Sequence, residues 1–231
     1  MRRLLTVGDS FTFGEELDDR KVSAYPYLLK NDLQFNEVVN LGMSGASSDY
    51  VFRQVIETLI SGQKFDLVLV SWPAENRFEA IHNNPNFVPT NLKPHTEPVT
   101  CLIHKPGLIN RPRKEPAWVQ EYYKYSYETS WGFRKQFNQI IALQDFLKNR
   151  NQEYFMYNVA GLQGYYNEYR EFLKNQFNAI DTERFVGWPI DGILEWQGNC
   201  VKGPRGHPLE FGHTRIAKVI KEHVSNFINN R

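Results

Sequence analysis

Ser10 is the residue of this sequence with the clearest potential for chemistry. It ends the triplet Gly8-Asp9-Ser10, which follows directly on the apolar run 4–7. A run of this length is too short for a helix and predicts a buried strand. The triplet then lies at the carboxyl end of that strand, where open α/β sheets bind their ligands. A serine hydroxyl in this place is either a nucleophile or a helix cap.

Two later segments carry groups that a serine nucleophile needs. Residues 40–45 form a glycine-bearing turn between a predicted strand and a predicted helix, and its outward N–H groups can donate to an anionic oxygen. His207 lies just before the last predicted helix, where a histidine can serve as the base for a serine displayed by the first strand. The joint pattern favours a nucleophile over a cap at Ser10.

Three sequence blocks resemble those of the SGNH/GDSL hydrolases, in the order of that family and over nearly the whole chain. The blocks are Gly8-Asp9-Ser10, Asn40-x-Gly42-x-Ser44-Gly45 and His207-Pro208-x-x-x-Gly212-His213. The family consists of serine esterases and acyl hydrolases on a flavodoxin-like sheet. The resemblance implies an ester hydrolase that needs no metal or organic cofactor. It assigns Ser10 as nucleophile, His207 as base, and the N–H groups of Gly45 and Ser10 as oxyanion donors.

A narrower likeness, to phage-associated members of the family, rests on the aromatic-rich segment after residue 80 and on the stretch Trp72…Arg77-Phe78-Glu79. Aromatic residues make up 14% of the chain, and flat rings with a polar tip suit a pocket for a sugar ring. We therefore expect a small-molecule or carbohydrate ester as substrate, for example an O-acetyl group on a carbohydrate. The other interpretation is that these rings only pack an insertion against the sheet.

The third block of the family, Gly-x-Asn-Asp, is not matched, because segment 71–77 is Ser-Trp-Pro-Ala-Glu-Asn-Arg. Asn76 is the amide that could complete the oxyanion hole. Glu75 competes for that place, and a carboxylate would repel an oxyanion. Arg77 is an alternative cationic donor, and Asp9 and Arg77 are also candidate substrate contacts.

The aspartate that the family places before its histidine is also missing, since Pro204 and Arg205 precede His207 here. Three explanations remain open. The imidazole is held by a backbone carbonyl in a Ser-His dyad, or a distant carboxylate such as Asp191 or Glu195 folds back to orient it. Alternatively, catalysis has been lost, and the fold serves binding or assembly, for example in a phage particle. Loss of the orienting acid can cost a serine hydrolase several orders of magnitude in rate.

Other polar residues are predicted to be structural. Asp9 is also a candidate cap for its own turn, and Ser44 and Ser47 are candidate caps for the helix that follows them. His213 is predicted to be a structural histidine of the last helix. The histidines of the proline-rich segment have no ligand-like spacing, which favours solvated loop residues over a metal site; they are His82, His95 and His104.

The elements that must hold these residues alternate between strands and helices. Strands are predicted at 4–7, 37–42, 65–72, 153–159 and marginally 183–188, and helices at 25–32, 48–61, 129–149, 167–178 and 210–229. This alternation predicts a three-layer α/β/α fold with a flavodoxin-like, doubly wound parallel sheet. Prolines exclude a long helix between 83 and 121. We expect a single domain over 1–231 with a long irregular insertion at about 80–128.

The composition excludes several classes of partner. The 231 residues carry a net charge of +1 and show no basic field, so neither nucleic acid nor an anionic membrane is expected to bind. The apolar stretch after Met1 is too short for a signal peptide, and no segment is long enough to span a bilayer. We therefore expect a soluble, cytoplasmic protein, or a virion-associated one if a phage encodes it.

Overall fold

A parallel sheet carries the candidate residues. The computed structural model describes residues 1–81, 100–103, 117–162 and 165–229. The strands are β1 (Arg3–Val7), β2 (Glu37–Asn40), β3 (Leu67–Trp72), β4 (Phe78–Ile81), β5 (Thr100–Ile103) and β6 (Tyr154–Asn158). The helices are α1 (Ser10–Phe13), α2 (Arg20–Ser23), α3 (Tyr25–Asp32), α4 (Ser48–Ile60), α5 (Ala117–Tyr125), α6 (Thr129–Asn149), α7 (Tyr166–Tyr169), α8 (Lys174–Ala179), α9 (Ile193–Gln197) and α10 (Glu210–Asn229).

The strand order β2-β1-β3-β6 creates a crevice next to β1. Every neighbouring pair in this sheet is parallel, and Leu5 of β1 pairs with Val39 on one side and Val68 on the other. The chain goes from β1 to β2 and then crosses to β3 on the opposite side of β1. Such a reversal leaves a crevice at the carboxyl ends of the strands. Ser10 follows β1 and is therefore delivered to that crevice.

Helices cover both faces of the sheet, which confirms the three-layer fold expected from the sequence. Alternate residues of a strand point to opposite faces. Leu5 belongs to the core that contains residues of α4 and α6, and Leu4 belongs to the core that contains residues of α3 and α10. β3 is buried along its whole length. Burial on both faces explains why the first and third strands are apolar runs and not alternating patterns.

The element predictions differ from the structure mainly after β6. The helices expected at 25–32, 129–149 and 210–229 coincide with α3, α6 and α10. The single helix expected at 167–178 is wrong, because two short helices, α7 and α8, lie on either side of a break that contains the buried Leu173. The strand expected at 183–188 is replaced by a 3-10 turn, Thr182–Arg184, and one parallel bridge between Phe185 and Met156.

Part of the predicted insertion has regular structure. β4 and β5 pair antiparallel, with Phe78 opposite Ile103, and α5 follows them along the chain. Arg53 of α4 holds Glu79 of β4 through two hydrogen bonds of 2.6 and 3.1 Å. The prolines of this segment and its histidines 82, 95 and 104 lie outside the described residues. Within the described ranges, no helix combines the length and apolar character required to cross a membrane.

Candidate active site

Ser10 lies in the first turn of α1, directly after β1. Asp9 caps this helix, since its Oδ1 accepts a hydrogen bond from the N–H of Phe11 (3.1 Å). Gly8 is required at the sharp bend because a Cβ there would lie 2.6 Å from Cβ of Ser71. Ser10 is only 5% exposed. No hydrogen bond of its Oγ is found among the described residues, so the hydroxyl is not committed to a structural role.

The turn after β2 is fastened to the Ser10 turn. Asn40 Oδ1 accepts from the N–H of Gly42 (2.9 Å), and Asn40 Nδ2 donates to the carbonyl of Thr12 (2.8 Å). A Cβ on Gly42 would lie 2.7 Å from the carbonyl carbon of Thr12, so only glycine allows this approach. Gly45 has a φ of 82°, a left-handed conformation that glycine adopts at little cost. These contacts bring the turn that contains Gly45 against the one that contains Ser10.

The backbone N–H groups of Ser10 and Gly45 have no acceptor in the part of the chain that the structure describes. Unpaired amides beside a nucleophile can bind the oxygen of a tetrahedral intermediate, and one such donor typically contributes about 3 kcal/mol to transition-state stabilisation. Ser47 has a different role, because its Oγ accepts from the N–H of Tyr50 (3.3 Å) and caps α4, as expected.

Asp9 and Arg77, both expected as candidate substrate contacts, bind each other. Arg77 Nη1 donates to Asp9 Oδ2 (2.9 Å) and to the carbonyl of Ala46 (3.2 Å). The Asp9 side chain is completely buried, and its second oxygen is used by the helix cap. Asp9 is therefore not placed to contact a substrate, contrary to that prediction. Arg77 connects the turns that follow β1, β2 and β3, and its charge is compensated by Asp9.

The segment after β3 contains the two competitors for the third oxyanion position. Asn76 precedes Arg77, its carbonyl accepts a hydrogen bond from the hydroxyl of Tyr123, and its buried side-chain Oδ1 has no partner among the described residues. Glu75 Oε1 accepts from the hydroxyl of Tyr127 (3.3 Å). The carboxylate thus has a partner on the α5–α6 side of the segment. The unpaired Oδ1 of Asn76 is an acceptor and cannot bind an oxyanion, so a role in the oxyanion hole would fall to its Nδ2. Asn76 remains the better candidate because Glu75 carries no donor when ionised.

His207 lies beside the Ser10 turn and is held by a carboxylate. Its ring packs against that of Phe11, with centroids 5.3 Å apart. Its Nδ1 is 3.1 Å from Glu16 Oε2, and its backbone N–H donates to the same oxygen (3.0 Å). No hydrogen bond joins Ser10 Oγ to His207 among the described contacts. Catalytic hydrogen bonds often tighten only when substrate binds. His207 packs on the residue next to Ser10 and therefore stays the candidate base.

The carboxylates considered from the sequence do not hold the imidazole. Glu195 Oε2 accepts from the N–H groups of Gly161 (2.9 Å) and Gly192 (2.8 Å), so it fastens the loop before α9 to the loop after β6. No hydrogen bond between Asp191 and His207 occurs in the described chain. A carboxylate distant in sequence does meet the imidazole Nδ1, but it is Glu16 and neither Asp191 nor Glu195. The structure therefore contradicts the two residues named and the dyad held by a backbone carbonyl.

His213 is a structural histidine, as expected. It is completely buried, its ring stacks on Tyr25, and its Nδ1 accepts the backbone N–H of that residue (3.2 Å). Burial lowers the pKa of His213 to about 4, with a smaller contribution from the nearby His207. The ring is therefore neutral near neutral pH. Across the described ranges, no group of three or more His, Cys, Asp or Glu is arranged to hold a metal ion.

The buried His213 is expected to make the free energy of unfolding fall as the pH drops from about 6.5 to about 4. In this window His213 is protonated in the unfolded chain and neutral in the folded one. Its contribution to the free energy of unfolding is therefore complete above the unfolded pKa of 6.5 and is lost as the pH falls towards the folded pKa of about 4. The expected loss at pH 5 is roughly 2 kcal/mol. Urea unfolding at pH 5 and pH 7.5 measures it.

The variant His213→Gln should show a smaller pH effect on unfolding than the wild type, whatever its absolute stability. The matched control is His223→Gln, since that ring lies on α10, forms a hydrogen bond with the carbonyl of Glu183 and packs edge-on against Phe155. Equal losses between pH 7.5 and pH 5 in the wild type and in His213→Gln would contradict this assignment.

Aromatic rings cluster on either side of the amino end of α6. In one cluster Phe78 packs on Tyr122 (centroids 4.6 Å apart), and in the other Phe133 packs on Tyr165 (5.3 Å). Three rings of this region are about half exposed, namely Trp131 (58%), Tyr165 (46%) and Phe172 (54%). Segments that follow parallel strands meet at one edge of the sheet. The loops after β3 and β6 therefore bring part of this aromatic surface to the edge that holds Ser10.

Solved hydrolases share this fold. A protein described as lipolytic and of the G-D-S-L family, from Desulfitobacterium hafniense DCB-2, aligns with a TM-score of 0.54 and 12% identity over 96% of this chain and 99% of that chain. The psychrotrophic esterase EstA from Pseudoalteromonas sp., in a structure inhibited by monoethylphosphonate, aligns with a TM-score of 0.56 and 13% identity over 99% and 100% of the two chains.

A family two carbohydrate esterase from Clostridium thermocellum, in complex with cellohexaose, also aligns, with a TM-score of 0.53 and 13% identity over 99% of this chain and 65% of that chain. No protein-family model matches the sequence. No curated protein matches it either. At these identities the likeness shows the fold, which is that of the SGNH/GDSL hydrolases and agrees with the resemblance of the sequence blocks.

Proposed function

We propose that the protein is a serine ester hydrolase with Ser10 as nucleophile and His207 as general base. One observation carries the proposal, namely the convergence at one sheet edge of an uncommitted serine, unpaired backbone N–H groups and an imidazole whose far side meets a carboxylate. Such a combination fulfils the three needs of acyl transfer, which are a nucleophile, a base and a place for the oxyanion. The shared fold with solved esterases supports it.

The proposed reaction begins when Ser10 Oγ attacks the ester carbonyl carbon and His207 Nε2 takes the hydroxyl proton. The carbonyl oxygen becomes an oxyanion, which the N–H groups of Ser10 and Gly45 stabilise, with the amide of Asn76 as a third donor. The carbon–oxygen bond to the alcohol then breaks, and His207 gives its proton to the leaving alkoxide. Water attacks the acyl-enzyme in the same way, which releases the acid and restores the serine.

A carbohydrate ester is the substrate class that we propose. The half-exposed rings of Trp131 and Tyr165 offer flat apolar surfaces of the kind on which sugar rings stack. The similar carbohydrate esterase from Clostridium thermocellum was solved with cellohexaose. A comparison of hydrolysis rates on O-acetylated glycans and on simple lipid esters tests this choice, and a clear preference for the lipid esters would reject it.

Covalent labelling is the direct test of the nucleophile. A serine-directed fluorophosphonate should add to the wild-type protein with one-to-one stoichiometry, and peptide mass spectrometry should locate the adduct on Ser10. The protein should also hydrolyse p-nitrophenyl acetate. A protein that gives neither a label nor turnover refutes the hydrolase proposal. The remaining explanation from the sequence, a fold that binds without cleaving, would then apply, and retained binding of acetylated glycans would identify it.

A further inference from the structure

Glu16 is surrounded by donors from the loop that carries His207. Its Oε1 accepts from the N–H of Arg205 (2.6 Å), and its Oε2 is shared by the backbone N–H of His207 (3.0 Å) and the ring Nδ1 of His207 (3.1 Å). Its side chain is only 10% exposed. Three donors on one carboxylate fix its position relative to both the backbone and the imidazole of His207.

The backbone on both sides is shaped to allow this contact. Glu16 has a φ of 69°, a left-handed conformation that is uncommon for residues other than glycine and that clusters at functional sites. On the opposite loop, a Cβ at Gly203 would lie 2.7 Å from Cδ of Glu16, so glycine leaves the space for the carboxylate.

The loop after α1 carries the acidic residues, and the loop before α10 carries an arginine where the SGNH/GDSL pattern has an acid. Arg205 stands two residues before His207, where an acid is expected, and its guanidinium pairs with Glu15 (2.7 Å). The loop that follows α1 thus supplies two acidic residues, one for Arg205 and one for the imidazole. The acid missing before His207 is replaced in space by Glu16, six residues after Ser10.

We infer that Glu16 is the positioning residue of the proposed catalytic base His207. This inference rests on the proposed hydrolase function. By accepting a hydrogen bond from Nδ1–H, the carboxylate fixes the tautomer in which Nε2 is free to take the proton of Ser10. The proton stays on Nδ1, and the carboxylate stabilises the imidazolium formed in the transition state. Ser10, His207 and Glu16 then form a catalytic triad. Its acid lies in the amino-terminal part of the sequence, close to the nucleophile and not to the histidine.

The electrostatic surroundings are consistent with this role. Burial alone would raise the pKa of Glu16, but the hydrogen bonds from Arg205 and His207 outweigh it, so the pKa lies below its usual value and the group is ionised. Among the described residues, the other charged and titratable neighbours of the imidazole are Glu15 and Arg205, which pair with each other, and His213, which is neutral. Glu16 is therefore the carboxylate that can balance the imidazolium directly.

The test compares Glu16→Gln with Glu15→Gln, because both remove one negative charge from adjacent residues. We expect Glu16→Gln to lower kcat for p-nitrophenyl acetate by about 10²- to 10⁴-fold and Glu15→Gln to lower it less than about threefold. In Glu16→Gln, the acid limb of kcat/KM should also move to lower pH, because the imidazolium loses its counter-charge. A purely structural defect would lower activity without moving that limb.

Two results would separate the possible failures. If Glu16→Gln keeps wild-type kcat and an unshifted acid limb while the wild type is active, the positioning role of Glu16 is refuted and the hydrolase proposal stands. If the wild type has neither activity nor a fluorophosphonate label, the hydrolase proposal fails. In that case ¹⁵N NMR of the His207 ring still tests whether Glu16 holds the Nδ1 proton. A proton found on Nδ1 in the wild type and lost in Glu16→Ala supports the contact. Identical spectra of the two proteins overturn it.

Discussion

The variant Ser10→Ala is expected to lose about 10⁵- to 10⁶-fold in kcat for p-nitrophenyl acetate, because it has no nucleophile for the acyl-enzyme. A residual rate enhancement over water should survive, since the N–H groups of Ser10 and Gly45 belong to the backbone and can still bind the oxyanion. Stopped-assay rates with the purified variant, corrected for spontaneous hydrolysis, measure both effects. The fluorophosphonate label should disappear completely.

The fold should tolerate this change. Ser10 Oγ has no hydrogen-bond partner among the described residues, so alanine leaves no buried group unpaired, and urea unfolding should shift by less than about 1 kcal/mol. Ser225→Ala is a matched control, because Ser225 of α10 lines a cavity together with Asp66 and Leu67, at the amino end of β3 and thus at the opposite edge of the sheet. Wild-type turnover in Ser10→Ala would remove the serine from the mechanism, and lost turnover in Ser225→Ala would indicate a general folding defect.

The position of Ser10 could be predicted because the features that place it are local. A short apolar strand, a glycine that permits the bend and an aspartate that caps the next turn are all within three residues of it, and each is found in the structure. The turn that contains Gly45 is equally local, since Ser47 begins α4 as expected from its type. The parallel sheet follows from the alternation of such strands and helices.

The partner of His207 could not be predicted, because the contact joins residues 191 positions apart. The search for an acid considered residues near His207 in sequence, whereas Glu16 comes from the first turns of the chain. Its positive φ is a property of the folded loop that no propensity for glutamate suggests. One signal was present, namely an arginine where the family has an acid together with the pair Glu15-Glu16 shortly after the serine.

The Asp9–Arg77 ion pair is a second long-range contact that could not be predicted from the sequence. We expect Arg77→Met to lower the free energy of unfolding by roughly 3–5 kcal/mol. The reason is that Asp9 is completely buried, so loss of Arg77 leaves an uncompensated charge in the interior. The variant also removes the link to the carbonyl of Ala46, so we expect the oxyanion turn to be less well held. Urea unfolding at pH 7.5 measures the change in free energy of unfolding.

A double variant separates the buried charge from the lost side-chain packing. Asp9→Asn keeps a residue that caps helices well and removes the charge, so Arg77→Met combined with Asp9→Asn should regain a large part of the stability lost in Arg77→Met alone. The control is Lys148→Met, whose ion pair with Asp181 is half exposed on the lysine side and should contribute less than about 1 kcal/mol. Equal, small losses of unfolding free energy in Arg77→Met and Lys148→Met would contradict the prediction. They would mean that water reaches Asp9 in the variant and that backbone contacts alone hold the three turns of the site together.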